Sequence, residues 1–349
     1  MDISLMFFGA DDVGAGSHLG KFDEIMRIAR VADSLGFAAI WTPERHFQQV
    51  GQVFPSPPVL SAALAAVTER IAVRAGSVVL PLHHPLRVVE DWSVVDNLSR
   101  GRVGISVATG WHSTDFVLAP DRFQGRRERA LEQIPLLRRL WAGDEVEFVD
   151  GAGRTVAVRP APRPCSDRLP LWLTTSGSPR TWEAAGRLRT NILGAASGQT
   201  REELADRIRL YREAYQAAPA QLGAIDQGTV TLMAHCYVGA DRTDAVRRAG
   251  GPLRRYLRSY VSQTAANHDG GPTAELTDEQ TERLTSFAVR RHLAWGSMIG
   301  SPEDCGATLR DLRELGCDEV ACLIDFGLGA DDVLAGLYRL DELRKDLEA

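Results

Sequence analysis

Long apolar runs are missing from this sequence. None reaches the ~18 to 20 residues a membrane-spanning helix needs, and the start, Met1-Asp2, carries no basic stretch. A membrane span and a secretory leader are therefore not expected, and the cytoplasm is the expected compartment. Cysteine is scarce as well. Cys165, Cys236, Cys305, Cys317 and Cys322 are odd in number and show no C-x-x-C spacing of the kind that zinc or dithiol chemistry uses. They read as buried or incidental thiols in a reducing compartment. Nor is there charge of one sign. Lys plus Arg number 40 and Asp plus Glu 46, a net −6, which provides no field for nucleic acid or an anionic membrane.

Several mechanistic signatures are absent too. Gly14-Ala15-Gly16-Ser17-His18-Leu19 approaches a dinucleotide fingerprint, but Leu19 stands where glycine is needed. The stretch ending Gly20-Lys21 misses a phosphate loop at Ala15 and Phe22. No H-E-x-x-H, G-x-S-x-G or aspartate-rich metal loop occurs, so hydrolytic chemistry lacks its nucleophile or metal.

What is present is alternation. Short apolar runs at Ile3 to Phe8, Phe37 to Trp41, Ile71 to Leu80 and Val103 to Val107 are separated by helical spacing such as Phe22, Ile25, Met26 and Ala29. Further runs follow at Leu171 to Thr174, Thr190 to Leu193, Thr229 to Val238 and Glu319 to Ile324, again with helices between. Such runs, apolar on both faces, form parallel sheets. Eight of them predict an α/β TIM (β/α)8 barrel, with a doubly wound open sheet as the alternative. The expectation is one domain over residues 1–349 with two insertions: a hairpin after strand four, at about 143–168, and a helical segment after strand seven, at about 251–298.

Barrel active sites lie at the carboxyl ends of the strands, so the residues that close each run are the candidates. Strand two closes with Glu44, Arg45 and His46, which suit proton transfer, or equally a structural ion pair. Strand three closes through Gly76 and Ser77, small enough for a flat ring to approach the backbone, or for tight packing alone. His83-His84 after it reads as a helix entry rather than a metal site. Strand four closes with Ala108 and Thr109, followed by Trp111. Strand five runs into Thr175, Ser176, Gly177 and Ser178 before Pro179, a helix start able to hold an anion, with ordinary capping as the plain explanation of Ser178.

Together these residues resemble the bacterial luciferase-like flavin-dependent monooxygenases. The likeness is carried by Val78-Val79-Leu80-Pro81, His84-Pro85-Leu86-Arg87, Glu90-Asp91, Asp96-Asn97-Leu98-Ser99 and Gly101-Arg102, by Trp41 to Phe47 with Phe54-Pro55, and by Thr175 to Ser178 with Trp182-Glu183-Ala184-Ala185. The Pro-Glu-Arg-His-Phe form is similar to the subgroup found in natural-product biosynthesis. The resemblance implies FMN as cofactor, used as FMNH2 delivered by a separate flavin reductase. It implies that O2 is activated as a flavin C4a-hydroperoxide and that a small or carrier-tethered metabolite is oxygenated.

By position, the resemblance places a non-proline cis peptide at Gly76 and Ser77 against the flavin ring, with Ala108 and Thr109 beside it and Phe8 under it on the substrate side. It places the FMN phosphate at Thr175, Ser176, Gly177 and Ser178. Glu44 and His46 are the expected catalytic pair, managing the peroxide proton, while Trp41, Phe47 and Trp111 would wall a dry pocket. Arg45 departs from luciferase proper, which has histidine there, and this argues against light emission.

A homodimer is implied, through the helices after strands two and three, where Val59, Leu60, Ala63 and Leu64 are apolar; packing on the barrel explains them equally. Residues 263–277 are a candidate lid. Two other functions stay open: hydride transfer with a deazaflavin coenzyme, and a flavin-binding paralogue without turnover.

Overall fold

The structure is a computed structural model that describes residues 1–9, 19–47, 52–221, 223–224, 227–266 and 276–348. Its strands are β1 (Asp2–Met6), β2 (Ala39–Thr42), β3 (Ala72–Val79), β4 (Val103–Ala108), β5 (Val146–Val149), β6 (Thr155–Val158), β7 (Leu171–Thr174), β8 (Asn191–Ala195), β9 (Val230–Val238), β10 (Met298–Gly300) and β11 (Glu319–Leu323). The helices are α1 (Leu19–Leu35), α2 (Pro57–Val67), α3 (Pro85–Ser99), α4 (Arg126–Ala142), α5 (Pro179–Arg187), α6 (Arg201–Ala217), α7 (Arg242–Ala266), α8 (Asp278–Ala294), α9 (Pro302–Glu314) and α10 (Ala330–Glu348).

Eight strands close a parallel ring in the order β1-β2-β3-β4-β7-β8-β9-β11, with β11 returning to β1. Closure makes this a TIM barrel and rules out the open sheet. β5 and β6 form a separate antiparallel hairpin between β4 and β7. β10 pairs with the outer end of β9, at Cys236 to Val238.

Alternation along the strands sorts the side chains. Met6, Ala39, Trp41, Trp172, Leu193, Ala321 and Leu323 form one buried cluster inside the ring. Their neighbours, such as Leu5, Ile40, Val73, Ile105 and Val320, join the larger core between barrel and helices. Inside the ring, Arg74 Nη1 lies 2.9 Å from both carboxylate oxygens of Glu319, and its guanidinium lies over the rings of Trp41 and Trp172 at 4.9 and 4.7 Å.

Much of the sequence run that carries the family likeness turns out to brace the opposite end of the barrel. Arg102 donates to the carbonyls of Ser99, Thr68 and Ile71, locking the β3–β4 connection. Asp96 is fully buried and accepts from the amide and hydroxyl of Ser166, each at 2.8 Å.

The helices start where capping predicts. Thr200 on α6, Thr277 on α8 and Ser301 on α9 each complete a capping box, an arrangement worth about 1 kcal/mol per cap. Among the described residues, no helix is long and apolar enough to cross a membrane.

Candidate active site

At the mouth of the ring the ends of β3, β4 and β7 are joined by hydroxyls. Thr174 Oγ1 bonds both Ser77 Oγ and Ser106 Oγ, the latter at 2.5 Å. The Gly76–Ser77 peptide bond is cis, where the resemblance placed one. Gly76 leaves little room for a side chain: a Cβ there would stand 2.7 Å from Met6 Cε and 3.1 Å from Trp41 Cβ. Ala108 packs against the cluster of Val79, Leu82, Phe116 and Ala119, and Thr109 follows it, half-buried.

One residue beyond Thr174 the chain enters the turn Thr175 to Ser178. Thr175 is buried and its Oγ1 accepts from the Gly177 amide at 3.1 Å. Gly177 has φ +121, a conformation L side chains avoid, and the Arg207 guanidinium of α6 lies 3.2 Å from where its Cβ would be. Ser178 is the N-cap of α5 with no side-chain cap bond, and Ser176 is exposed. An unspent hydroxyl, a helix start and an arginine fit a phosphate. The donor set therefore suits FMN, with small residues where a ring would lie and anion donors one turn away.

Glu44 forms the other half of the site. Its side chain is fully buried and its two oxygens are spent on three donors. Oε2 accepts the Val79 amide at 2.7 Å, and Oε1 takes His46 Nε2 at 2.9 Å and His83 Nε2 at 2.6 Å. Burial pushes the Glu44 pKa up, but the bonds from His46, His83 and Val79 outweigh it and hold the carboxyl below its ordinary 4.5. Burial pulls His83 down, and Glu44 more than reverses this, so its pKa is raised above 6.5. Nearby, burial lifts Asp115 to about 6 despite the opposing charges of His46 and Arg45.

Phe8 stands at the end of β1, its amide and that of Gly9 donating to Asp325 just past β11. Its ring meets Tyr256 edge-on at 5.5 Å.

The structure therefore brings Gly76, Ser77, Ala108 and Thr109 to one mouth with the turn Thr175 to Ser178, and sets Glu44 against His46. Three wall residues need correction. Trp41 faces into the ring, bonded to Ser4 Oγ and edge-on to Trp172 at 5.1 Å, because period-two alternation turns it inward below the mouth. Phe47 and Trp111 are exposed, at 63% and 39%, so neither seals a pocket in this structure. Most of the expected lid, 263–277, lies outside the described residues. Thr174, Ser106, His83, Asp115 and Arg207 were not anticipated. His83 could have been, since it closes a strand as Glu44 does.

The family model described as luciferase-like monooxygenase matches residues 1–319. The oxygenase component of the flavin-dependent trigonelline monooxygenase of Acinetobacter baylyi is 26% identical over 330 residues, covering 91% of this chain and 88% of that protein. Among solved structures, monooxygenase RslO1 from Streptomyces bottropensis superposes with a TM-score of 0.82 at 24% identity over 100% of both chains. The oxygenating constituent of 3,6-diketocamphane monooxygenase from Pseudomonas putida, solved in complex with FMN, gives 0.75 at 18% identity over 98% of this chain and 97% of its own.

Proposed function

The chain belongs to the luciferase-like monooxygenases, and on that premise we propose that it uses reduced FMN from a separate reductase to oxygenate a small or carrier-tethered metabolite of secondary metabolism in the cytoplasm. The observation that carries the reading is the continuous run of small and hydroxylated groups from Gly76-Ser77 through Thr174 to the Thr175–Ser178 turn beside Arg207. Gly76, Ser77, Ala108, Thr109 and Phe8 would hold the flavin ring, and Thr175, Ser176, Gly177 and Ser178 with Arg207 its phosphate. A relative named as an oxygenase component supports a reductase partner. Residues 1–349 are taken as one barrel domain that pairs with a second copy.

Reduced FMN, when bound, supplies the electrons that let O2 put one oxygen atom on the substrate and the other into water. The protein manages protons. With His46 Nε2–H given to Glu44 Oε1, the other ring nitrogen, Nδ1, is the atom left to give or take a proton at the mouth. Glu44, fixed by the Val79 amide and His83, holds that tautomer.

Anaerobic titration of the purified protein with reduced FMN, followed by admission of O2, tests the proposal. Flavin binding with oxygen consumption and mass gain on an added substrate is expected. Reduction only with a deazaflavin coenzyme, or binding without turnover, overturns it.

A further inference from the structure

Resting on that reading, one residue of the mouth remains to be explained. Arg45 is partly buried, with its guanidinium 4.3 Å above the Phe8 ring. Its backbone amide is spent on the Phe54 carbonyl. Its side chain makes no hydrogen bond or ion pair among the described residues. Asp115 acts on it through space, as do the phenols of Tyr256 and Tyr260, but among the described residues no carboxylate comes within ion-pair distance. A guanidinium half withdrawn from water, with no acceptor among the described residues, has its fork of N–H donors left for an anion.

The surroundings describe the rest of that anion. Tyr256 is buried between Phe8, at 5.5 Å, and His235, at 4.8 Å, and Tyr260 stacks beyond it. His235 is buried with neither ring nitrogen bonded, and burial with His292 beside it pulls its pKa down to about 3, so it is neutral and able to give or accept one hydrogen bond. The shell is aromatic, with one cation and one neutral imidazole facing the same tyrosine.

We propose that Arg45 is the anchor for the acid group of the substrate, and that the substrate is an aromatic carboxylate whose ring lies against Phe8 and Tyr256. A guanidinium suits this task because its planar fork matches a carboxylate, whereas a neutral histidine in its place offers one donor. Arg45 thereby selects the substrate and is separate from the proton-handling Glu44–His46 pair.

The test uses 2-naphthoate, 2-naphthamide and cyclohexanecarboxylate in calorimetric titrations of the full chain, with and without oxidised FMN, FMN affinity being measured separately by fluorescence. The naphthoate is expected to bind about tenfold or more tightly than the amide of the same shape, and more tightly than the saturated acid. Arg45→Gln should erase the acid-over-amide preference while leaving FMN affinity unchanged, and Arg45→Lys should keep part of it. Equal binding of acid and amide by the unaltered protein, no binding of either, or a preference that survives in Arg45→Gln overturns the proposal. Failure of FMN to bind while the acid preference holds would instead overturn the flavin reading.

Discussion

Two arginines inside this barrel make opposite use of the same side chain. Arg74, deep in the ring, has both oxygens of Glu319 at 2.9 Å and lies over a pair of indoles. Arg45, at the mouth, has one aromatic face and, among the described residues, no acid within ion-pair distance. Below, Arg74 and Glu319 answer each other; above, among the described residues, the Arg45 side chain has no acceptor, and His235 and one oxygen of Asp115 have no hydrogen-bond partner. The lower half is built to close the ring and the upper half to be completed by something else, which is the division of labour expected of a barrel whose chemistry sits at its carboxyl end.

Breaking the lower half should cost most. Glu319→Gln strands the Arg74 charge over two tryptophans and should lower unfolding free energy by about 3 to 5 kcal/mol, read from denaturant midpoints; a loss below about 1 kcal/mol would mean that water reaches the pair. At the mouth, His46→Ala should leave stability and FMN affinity nearly intact. It should lower product formed per flavin oxidised by about a hundredfold, the missing oxygen appearing as hydrogen peroxide. Unchanged product yield would remove His46 from the proton path.

Gly177→Ala forces a side chain into φ +121 beside Arg207 and should weaken FMN by about tenfold, while riboflavin, which lacks the phosphate, is less affected. Equal losses for both ligands would place the phosphate elsewhere.

The smallest effect is in pH. His83 has a raised pKa, so its contribution to stability is complete below 6.5 and disappears as pH climbs through the folded value. Glu44 has a lowered pKa, so its share is present above 4.5 and disappears as pH falls through its folded value. The stability gap between the native chain and His83→Gln should therefore be widest at about pH 6 and shrink by about pH 9, by roughly 1 kcal/mol or less. A gap that widens with alkali would contradict the ion pair.

The barrel was legible because alternating apolar runs and helical spacing are local signals. Val103 to Val107 and Leu171 to Thr174 were read nearly to the residue, and Ser178-Pro179 marked the start of α5. β10 was not legible, since three residues beside the outer end of β9 leave no period to read. The small residues of the site could be named from strand ends, but their bonding could not. Thr174 looks like any strand threonine until Ser77 at the end of β3 and Ser106 on β4 come within reach of its hydroxyl. His83 looked like part of a helix entry, which is true of His84, the N-cap of α3; its own partner lies 39 residues earlier. Trp41 was misplaced because an aromatic at a strand end was read as wall, when its position in the alternation points it inward.

The bond from the Phe8 amide to Asp325 spans 317 positions of the chain. A ribosome delivers β1 first and β11 among the last pieces, so β2 and Arg45 can meet the end of β1 early, while the tie from Phe8 to Asp325 waits for nearly the whole polypeptide. The ring therefore cannot close before its last strand arrives, and the mouth where β1 ends is completed only when manufacture is almost finished.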